Sequence, residues 1–281
     1  MVKVAITGAS GFIGQYLMRE LAKHSVKVVL AVRHHPAKFV ETDTLKMVDL
    51  DISQTAPDPY TLLGNPDILI HLAWGGLPDY TSPHHFEQEL PMQYTFLSQL
   101  VKSGLKSLVV TGTCFEYGMI SGSLHETISP QPANPYGYAK YALNQQLTYL
   151  QRLIPFSLTW CRLFYLYGTG QSDSSIYTQL HNSVKQGDAV FNMSGGEQLR
   201  DYLPVEKVAQ YITDLALRQN DPGIVNICSG KPVSIRKLVE DWIQVNNWKI
   251  NLNLGYYPYP DYEPMAFWGD NSKLNSLINS P

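Results

Sequence analysis

The stretch that decides the fold is Thr7-Gly8-Ala9-Ser10-Gly11-Phe12-Ile13-Gly14. It follows an apolar strand at residues 2–6 and runs directly into a helical pattern. Strand, glycine turn and helix in this order form the first half of a βαβ unit that binds a dinucleotide. Gly8 allows the tight turn, Gly11 lets a pyrophosphate approach the backbone, and Gly14 lets the helix lie close to the strand. The N–H groups at the helix start then hold the phosphates.

The composition fits a large α/β protein. The chain has 281 residues, is 44% hydrophobic and carries a net charge of −3, enough for one large domain or a domain with a smaller lobe. Without a dense Lys/Arg cluster, nucleic acid is not expected as a partner. We expect no membrane segment and no signal peptide, because apolar runs are short and the N-terminus opens on a core strand. A cytoplasmic enzyme is therefore predicted.

The cysteines and a second motif indicate the chemistry. Cys114, Cys161 and Cys228 lack the spacing of metal ligands, so no metal site is expected. Tyr136 and Lys140 form a Tyr-x-x-x-Lys motif on the opening turn of a helix, and one turn of separation puts both side chains on one face. A phenol has a pKa near 10, and a nearby ammonium lowers it. We expect Tyr136 to donate a proton to a ketone oxygen while hydride reaches the carbon.

Together, the Gly-x-x-Gly-x-x-Gly turn and the framed Tyr-x-x-x-Lys motif resemble the extended short-chain dehydrogenase/reductases of the NAD-dependent epimerase/dehydratase family. The resemblance runs from residue 2 to about residue 277. It implies an α/β fold with a Rossmann-type doubly wound parallel sheet and a smaller C-terminal substrate-binding lobe. It further implies that residues 1–165 form the NAD(P)-binding Rossmann domain, that residues 166–281 are mostly the lobe, and that residues 200–228 return to the Rossmann domain.

Most of the cofactor contacts are implied by the same resemblance. These residues are Gly8, Ser10, Gly11, Phe12, Ile13, Gly14, Asp49, Leu50, Leu72, Ala73, Tyr136 and Lys140. Arg33 is argued separately, because the strand at residues 26–32 ends without the acid that holds the ribose 2′-hydroxyl in NAD enzymes. An arginine there can pair with a 2′-phosphate. NADP(H) is favoured, with NAD(H) as the alternative and a surface role for Arg33 as the competing interpretation.

Catalytic and substrate residues follow from alignment with the family. Thr113 ends a strand where the family has its catalytic Ser or Thr, which completes a trio with Tyr136 and Lys140. The implied substrate-binding residues are Trp74, Cys114, Phe115, Glu116, Tyr165, Arg200 and Tyr202. Arg200 is expected to pair with the substrate diphosphate and Glu116 to bind a sugar hydroxyl.

Several positions depart from the family pattern. Tyr165 stands where the family has an Asn, and Trp74 replaces a small residue, so that it either roofs the nicotinamide or the sugar or only packs against residues 75–82. The helix predicted at residues 86–103 contains Pro91, which kinks it unless the helix begins there. The aromatic tail at residues 256–264 is expected to close over the substrate.

The sequence of the loop after Thr113 favours some reaction types over others. Cys114 and Phe115 stand where dehydratases have an Asp-Glu pair, so water elimination is disfavoured. The stretch at residues 112–118 resembles reductases of 4-keto-6-deoxyhexose nucleotides. We expect NADPH-dependent reduction of the 4-keto group, as in forming dTDP-fucose from dTDP-4-dehydro-6-deoxyglucose. The alternatives are an NAD-dependent nucleotide-sugar 4-epimerase and a non-catalytic NADP-binding regulatory protein. The family's homodimer, built on central helices, implies a homodimer through residues 86–103 and 136–153.

Overall fold

The computed structural model describes residues 1–34, 39–54, 57–259 and 263–279. Its strands are β1 Val2–Thr7, β2 Val26–Val32, β3 Leu45–Asp49, β4 Ile68–His71, β5 Ser107–Thr113, β6 Gly122–Leu124, β7 Ser157–Leu163, β8 Tyr165–Tyr167, β9 Val190–Asn192, β10 Leu199–Arg200, β11 Tyr202–Pro204, β12 Gly223–Ile227, β13 Val233–Ser234, β14 Asn251–Asn253 and β15 Phe267–Gly269. Its α-helices are α1 Phe12–Leu21, α2 Pro59–Leu62, α3 Leu90–Lys102, α4 Pro135–Leu153, α5 Ile176–Gln186, α6 Val205–Arg218, α7 Ile235–Val245 and α8 Ser272–Asn279.

Seven strands form one parallel sheet in the order β12-β7-β5-β4-β1-β2-β3. All seven positions of β5 are buried and β2 exposes only Lys27, as expected for strands with helices on both faces. One face packs on α1, α6 and α8, and the other on α3 and α4. The doubly wound Rossmann-type sheet is therefore confirmed.

The strand order reverses between β1 and β4, and the carboxyl ends of these strands and of β5 lie on one edge of the sheet. In doubly wound sheets this edge, at the reversal, is where ligands bind. The glycine turn follows β1, and Thr113 is the last residue of β5. The topology thus brings the predicted cofactor turn and a predicted catalytic residue to the same edge.

The second half of the chain contributes to two hydrophobic cores. Helices α5 and α7 with strands β9 and β14 build a small separate core around Leu180, Phe191, Val239 and Trp242. Strand β12 joins the large sheet, and α6 packs on α1. Helix α8 also packs on this side through Leu274, so it lies with the nucleotide-binding half.

The helix predicted at residues 86–103 has a different start. Residues His85–Glu89 form a π-helical turn, and the α-helix α3 begins at Leu90 with Pro91 in its first turn. Proline is tolerated there because its missing N–H has no intrahelical partner at that position. Within the described ranges, no helix combines the length and the apolar character that crossing a membrane requires.

Candidate active site

The glycine turn has the shape that a dinucleotide needs. A Cβ on Gly8 would lie 2.8 Å from the Ala73 nitrogen, and a Cβ on Gly14 would lie 2.4 Å from the Gly8 oxygen. Gly8 also has a φ of +75°, which favours glycine. Helix α1 starts after Gly11, and no side chain caps that start. Its first N–H groups are therefore available to phosphate oxygens, which fits a dinucleotide pyrophosphate.

The other residues expected at the cofactor are spread around this turn. Ser10 is exposed in the turn, while Phe12 and Ile13 are half-buried against the core. Leu72 donates its N–H to the Thr7 oxygen at 3.2 Å, which holds residues 72 and 73 against the turn. Leu50 is buried in the core on the other face of the sheet.

The end of β2 carries both signs of charge. Arg33 is exposed there, and its charge contributes to a lowered pKa of Asp51, after the larger effect of hydrogen bonds from Ser53. On the neighbouring strand, Asp49 lies in register with Val32 and is also exposed. Although β2 ends without an acid, Asp49 at the end of β3 and Asp51 just after it lie near Arg33.

The predicted catalytic trio comes together at the carboxyl edge. Asn134 caps α4 by accepting from the Gly137 N–H at 2.8 Å, which directs Tyr136 and Lys140 from the first turns toward the end of β5. Thr113, Tyr136 and Lys140 are all buried. The Thr113 side chain lies close enough to Tyr136 to act on the pKa of its phenol, which it lowers. The Lys140 ammonium lies 5.9 Å from the centre of the Tyr136 ring and donates to the Thr111 oxygen at 2.8 Å.

The expectation that Lys140 lowers the pKa of Tyr136 is corrected by the structure. Burial raises the pKa of Tyr136 well above its ordinary value, and nearby Tyr80 and Glu116 raise it further. Burial also lowers the pKa of Lys140 to about 7. Removal from water disfavours the charged form of each group. The phenol therefore keeps its proton at neutral pH.

Glu116 does not reach a substrate, contrary to the expectation that it binds a sugar hydroxyl. Its carboxylate is fully buried and accepts from the Thr113 N–H at 2.9 Å, from Trp160 Nε1 at 2.9 Å and from Arg162 Nε at 2.8 Å. Three protein donors occupy its oxygens. Glu116 therefore fixes the end of β5 from beneath and positions Thr113.

Cys114 and Trp74 pack beside the catalytic trio. The expectation that Cys114 contacts substrate is wrong, because its side chain packs into an apolar cluster with Tyr117 and Phe164. Burial raises the pKa of its thiol. Trp74 is half-buried, 3.9 Å below the Lys140 ammonium and edge-on to Tyr136 at 6.0 Å. It contacts both members of the catalytic pair and is not among the residues that line the cleft.

A cleft of about 770 Å³ lies beside the trio, because its lining includes Tyr80 and Phe115, whose rings contact Tyr136, and Asn134, which caps α4. Four of the predicted substrate residues line it, namely Phe115, Tyr165, Arg200 and Tyr202. Sequence reasoning missed most of the other lining residues, including Leu77, Asp79, Tyr80, Thr81, Tyr167, Gln171, Ser172, Ser175, Tyr177, Gln198 and Glu263. The only signal for residues 77–81 was their position after the fourth strand, at the edge where ligands bind.

Arg200 forms an ion pair with Glu263 within the protein. The Arg200 side chain donates from Nη2 to Glu263 at 2.7 Å and from Nη1 to the Leu199 oxygen at 2.9 Å, and Tyr165 also donates to Glu263. Arg200 is thus already paired within the protein, although it borders the cleft. Of the tail, Tyr259 bonds to Glu197 and Glu263 reaches the cleft, while residues 260–262 lie outside the described residues. Among the described residues, no group of three His, Cys, Asp or Glu side chains could hold a metal ion.

This fold, with a glycine turn and a Thr–Tyr–Lys trio at one edge of the sheet, defines an enzyme of the short-chain dehydrogenase/reductase class. The model of the NAD dependent epimerase/dehydratase family matches residues 4–228, and the chain belongs to this family.

Relatives with assigned activities cover nearly the whole chain. A dTDP-6-deoxy-L-talose 4-dehydrogenase (NAD(+)) from Aggregatibacter actinomycetemcomitans is 31% identical over 95% of this chain and 99% of its own length. A GDP-6-deoxy-D-mannose reductase from Pseudomonas aeruginosa is 25% identical over 85% of this chain and 78% of its own length.

Solved structures support the same fold. MoeE5 in complex with UDP-glucuronic acid and NAD is 25% identical, with a TM-score of 0.81 over 98% of this chain and 92% of that one. The UDP-N-acetylglucosamine 4-epimerase from Methanobrevibacter ruminantium M1 is 20% identical, with a TM-score of 0.85 over 100% of this chain and 93% of that one. At that identity the second likeness concerns the fold alone.

Proposed function

We propose that this chain reduces the 4-keto group of a nucleotide-linked 4-keto-6-deoxyhexose with a nicotinamide cofactor. The observation that carries the proposal is the buried trio of Thr113, Tyr136 and Lys140 at the carboxyl edge of the sheet, beside a cleft of about 770 Å³. A relative that is 31% identical oxidises a dTDP-linked 6-deoxyhexose at C4, according to its name. Oxidation of a C4 alcohol and reduction of a C4 ketone are one reaction in two directions.

The residues divide the work as follows. Tyr136 donates its proton to the carbonyl oxygen, and the Thr113 hydroxyl orients the same oxygen. The residues at the glycine turn, with Tyr136 and Lys140, would hold the cofactor, and a bound nicotinamide supplies the hydride for the carbon. Lys140 places its amino group near the phenol, and Glu116 holds the end of β5 so that Thr113 keeps its position.

Dehydration is not supported by the site. The positions directly after Thr113 hold Cys114, which is buried in an apolar cluster, and Phe115. The first carboxylate after them, Glu116, is occupied by three protein donors. Neither position offers an acid that could protonate a leaving hydroxyl.

The balance between NADP(H) and NAD(H) rests on the end of β2. Arg33 attracts a 2′-phosphate, which favours NADP(H). Asp49 and Asp51 repel that phosphate, and Asp49 can accept from a ribose 2′-hydroxyl instead. We therefore propose that both cofactors are used, with NADPH preferred by less than about tenfold.

The test is absorbance at the nicotinamide band with purified protein, NADPH or NADH, and a panel of dTDP-, GDP- and CDP-linked 4-keto-6-deoxyhexoses. One sugar is expected to cause stoichiometric loss of the reduced cofactor. Tyr136→Phe should lower that rate by about 10²- to 10⁴-fold. Tyr149→Phe, on an exposed part of the same helix, is the matched control.

Two outcomes would contradict the proposal. A sugar that changes by NMR with no net use of cofactor would show a 4-epimerase. Unchanged biological activity in Tyr136→Phe, together with no turnover of any sugar, would show a non-catalytic NADP-binding protein.

A further inference from the structure

Residues 75–82, between β4 and the π-helical turn, form a segment that no motif of the sequence assigns. Five of its residues, Leu77 to Thr81, line the cleft. Within it, Tyr80 lies next to the catalytic tyrosine: its ring centre is 5.5 Å from that of Tyr136, and its carbonyl oxygen accepts from the Tyr136 N–H at 3.2 Å. Backbone and side chain together fix the distance between the two residues.

Phe115 completes an aromatic pair beside the reacting position. Its ring centre lies 4.9 Å from that of Tyr80 and 6.4 Å from that of Tyr136. The Phe115 backbone packs on Gly137, where a Cβ would meet the Phe115 oxygen at 2.6 Å. Tyr80 and Phe115 both border the cleft. The surface next to the Tyr136 ring is therefore formed by the aromatic rings of Tyr80 and Phe115.

A buried histidine holds the segment in this position. His85 is fully buried, donates from Nε2 to the Asp79 oxygen at 2.7 Å and accepts at Nδ1 from Trp74 Nε1 at 3.1 Å. A carbonyl oxygen can only accept and an indole N–H can only donate, so the neutral imidazole with hydrogen on Nε2 is required. Trp74 in turn lies under Lys140. The catalytic lysine and the Tyr80 segment therefore share one support.

From this arrangement we infer that Tyr80, with Phe115, is the surface that receives C6 of the sugar and makes the enzyme select 6-deoxyhexoses. The inference rests on the proposed function. When the C4 oxygen meets Tyr136, C6 is only two bonds away from C4, and it must lie against the groups that border the cleft beside Tyr136. A methyl group on C6 packs on these rings, whereas a hydroxyl there loses its water without gaining a partner.

The expected selectivity is modest and can be measured. An apolar pocket rejects an added hydroxyl by about 10- to 100-fold in kcat/KM. The probes are dTDP-fucose and dTDP-galactose, which differ only by the hydroxyl on C6, with dTDP-6-deoxy-L-talose as a third sugar. Oxidation of each is followed by formation of reduced cofactor. The wild type should prefer the 6-deoxy sugars by at least about tenfold.

The variants separate the ring from its hydroxyl. Tyr80→Ala should reduce the preference for dTDP-fucose over dTDP-galactose to below about threefold, because water can then reach C6. Tyr80→Phe keeps the ring and should keep the preference. Cofactor affinity, measured by quenching of protein fluorescence, should be the same in both variants and in Tyr149→Ala, an exposed control.

The outcomes distinguish this inference from the proposed function. If the wild type oxidises none of the three sugars and reduces none of the 4-keto sugars, the proposed function is wrong, and this inference is wrong with it. If sugars are oxidised but Tyr80→Ala leaves the preference unchanged, or lowers kcat/KM equally for both sugars, only the role of Tyr80 is wrong. Loss of the preference in Tyr80→Phe as well would assign recognition to the hydroxyl instead of the ring.

Discussion

Two buried arginine–glutamate pairs, one beneath Thr113 and one in the wall of the cleft, differ in what surrounds them. Beneath Thr113, Arg162 Nε meets Glu116 at 2.8 Å with both side chains fully buried. In the wall of the cleft, Arg200 Nη2 meets Glu263 at 2.7 Å, and Glu263 keeps 10% of its side chain exposed. In both cases burial lowers the pKa of the arginine, but the carboxylate partner helps to bring it above its ordinary value.

The partners of the two carboxylates explain the difference. Glu116 accepts from a backbone N–H, an indole N–H and a guanidinium, all of which can only donate. Glu263 accepts from Arg200 and from the Tyr165 hydroxyl, which can also turn and accept. The pair beneath Thr113 therefore tolerates one chemical form, whereas the pair in the wall can be rearranged.

The largest effect is expected for Glu116→Gln. The amide group must face at least one N–H donor, and Arg162 is left buried without a countercharge. Breaking a buried pair in this way should lower the free energy of unfolding by about 3–5 kcal/mol. Urea denaturation followed by circular dichroism measures this loss.

The matched control is Glu240→Gln. Its pair with Arg236 is exposed, and this change should cost less than about 1 kcal/mol. Equal losses in the two variants would show that the buried pair is not a fixed support for Thr113.

The same contrast explains what the sequence could predict. The glycine turn, Tyr136 and Lys140 are defined by spacings of a few residues, and Thr113 by the end of one strand, so the sheet and the trio were predictable. The direction of Glu116 depends on Trp160 and Arg162, which are 44 and 46 residues away in sequence. Local patterns place a residue in a loop but do not show which long-range partner it turns toward.

The wall of the cleft formed by Arg200 and Glu263 shows the same limit of prediction from sequence. Arg200 was predicted as a residue of the cleft, but Glu263, 63 residues later, was not connected with it. Tyr80 belongs to no motif, and its place beside Tyr136 depends on a hydrogen bond between two segments far apart in sequence. The substrate side of such a site is built from contacts of this kind.

Lys140 is a third buried basic group, and it extends the comparison because its hydrogen-bond partner is a neutral backbone oxygen. It donates to the Thr111 oxygen at 2.8 Å, and burial lowers its pKa to about 7, although Glu116 and Glu89 act in the opposite direction. Between about pH 7 and pH 10.5 the unfolded chain holds a proton on Lys140 that the folded protein has released. The folded state is therefore favoured as the pH rises through this window.

The measurement compares wild type with Lys140→Met. From pH 7 to pH 9 the free energy of unfolding of the wild type should rise by about 2 kcal/mol relative to this variant. Lys237→Met, which removes an exposed lysine, should run parallel to the wild type. A wild type that also runs parallel to Lys140→Met would show that Lys140 keeps its charge in the folded protein.

The smallest effect is expected for Glu263→Gln. The amide oxygen can still accept from Arg200, and the amide nitrogen can donate to the Tyr165 hydroxyl once that group turns, so the loss in the free energy of unfolding should be about 1 kcal/mol. In a Tyr165→Phe background the amide nitrogen has no such acceptor, and the same change should cost more. A double-mutant cycle measures this difference directly. If Glu263→Gln costs as much as Glu116→Gln, or costs the same with and without the Tyr165 hydroxyl, the wall is as fixed as the support beneath Thr113, and the hydroxyl is not what makes it adaptable.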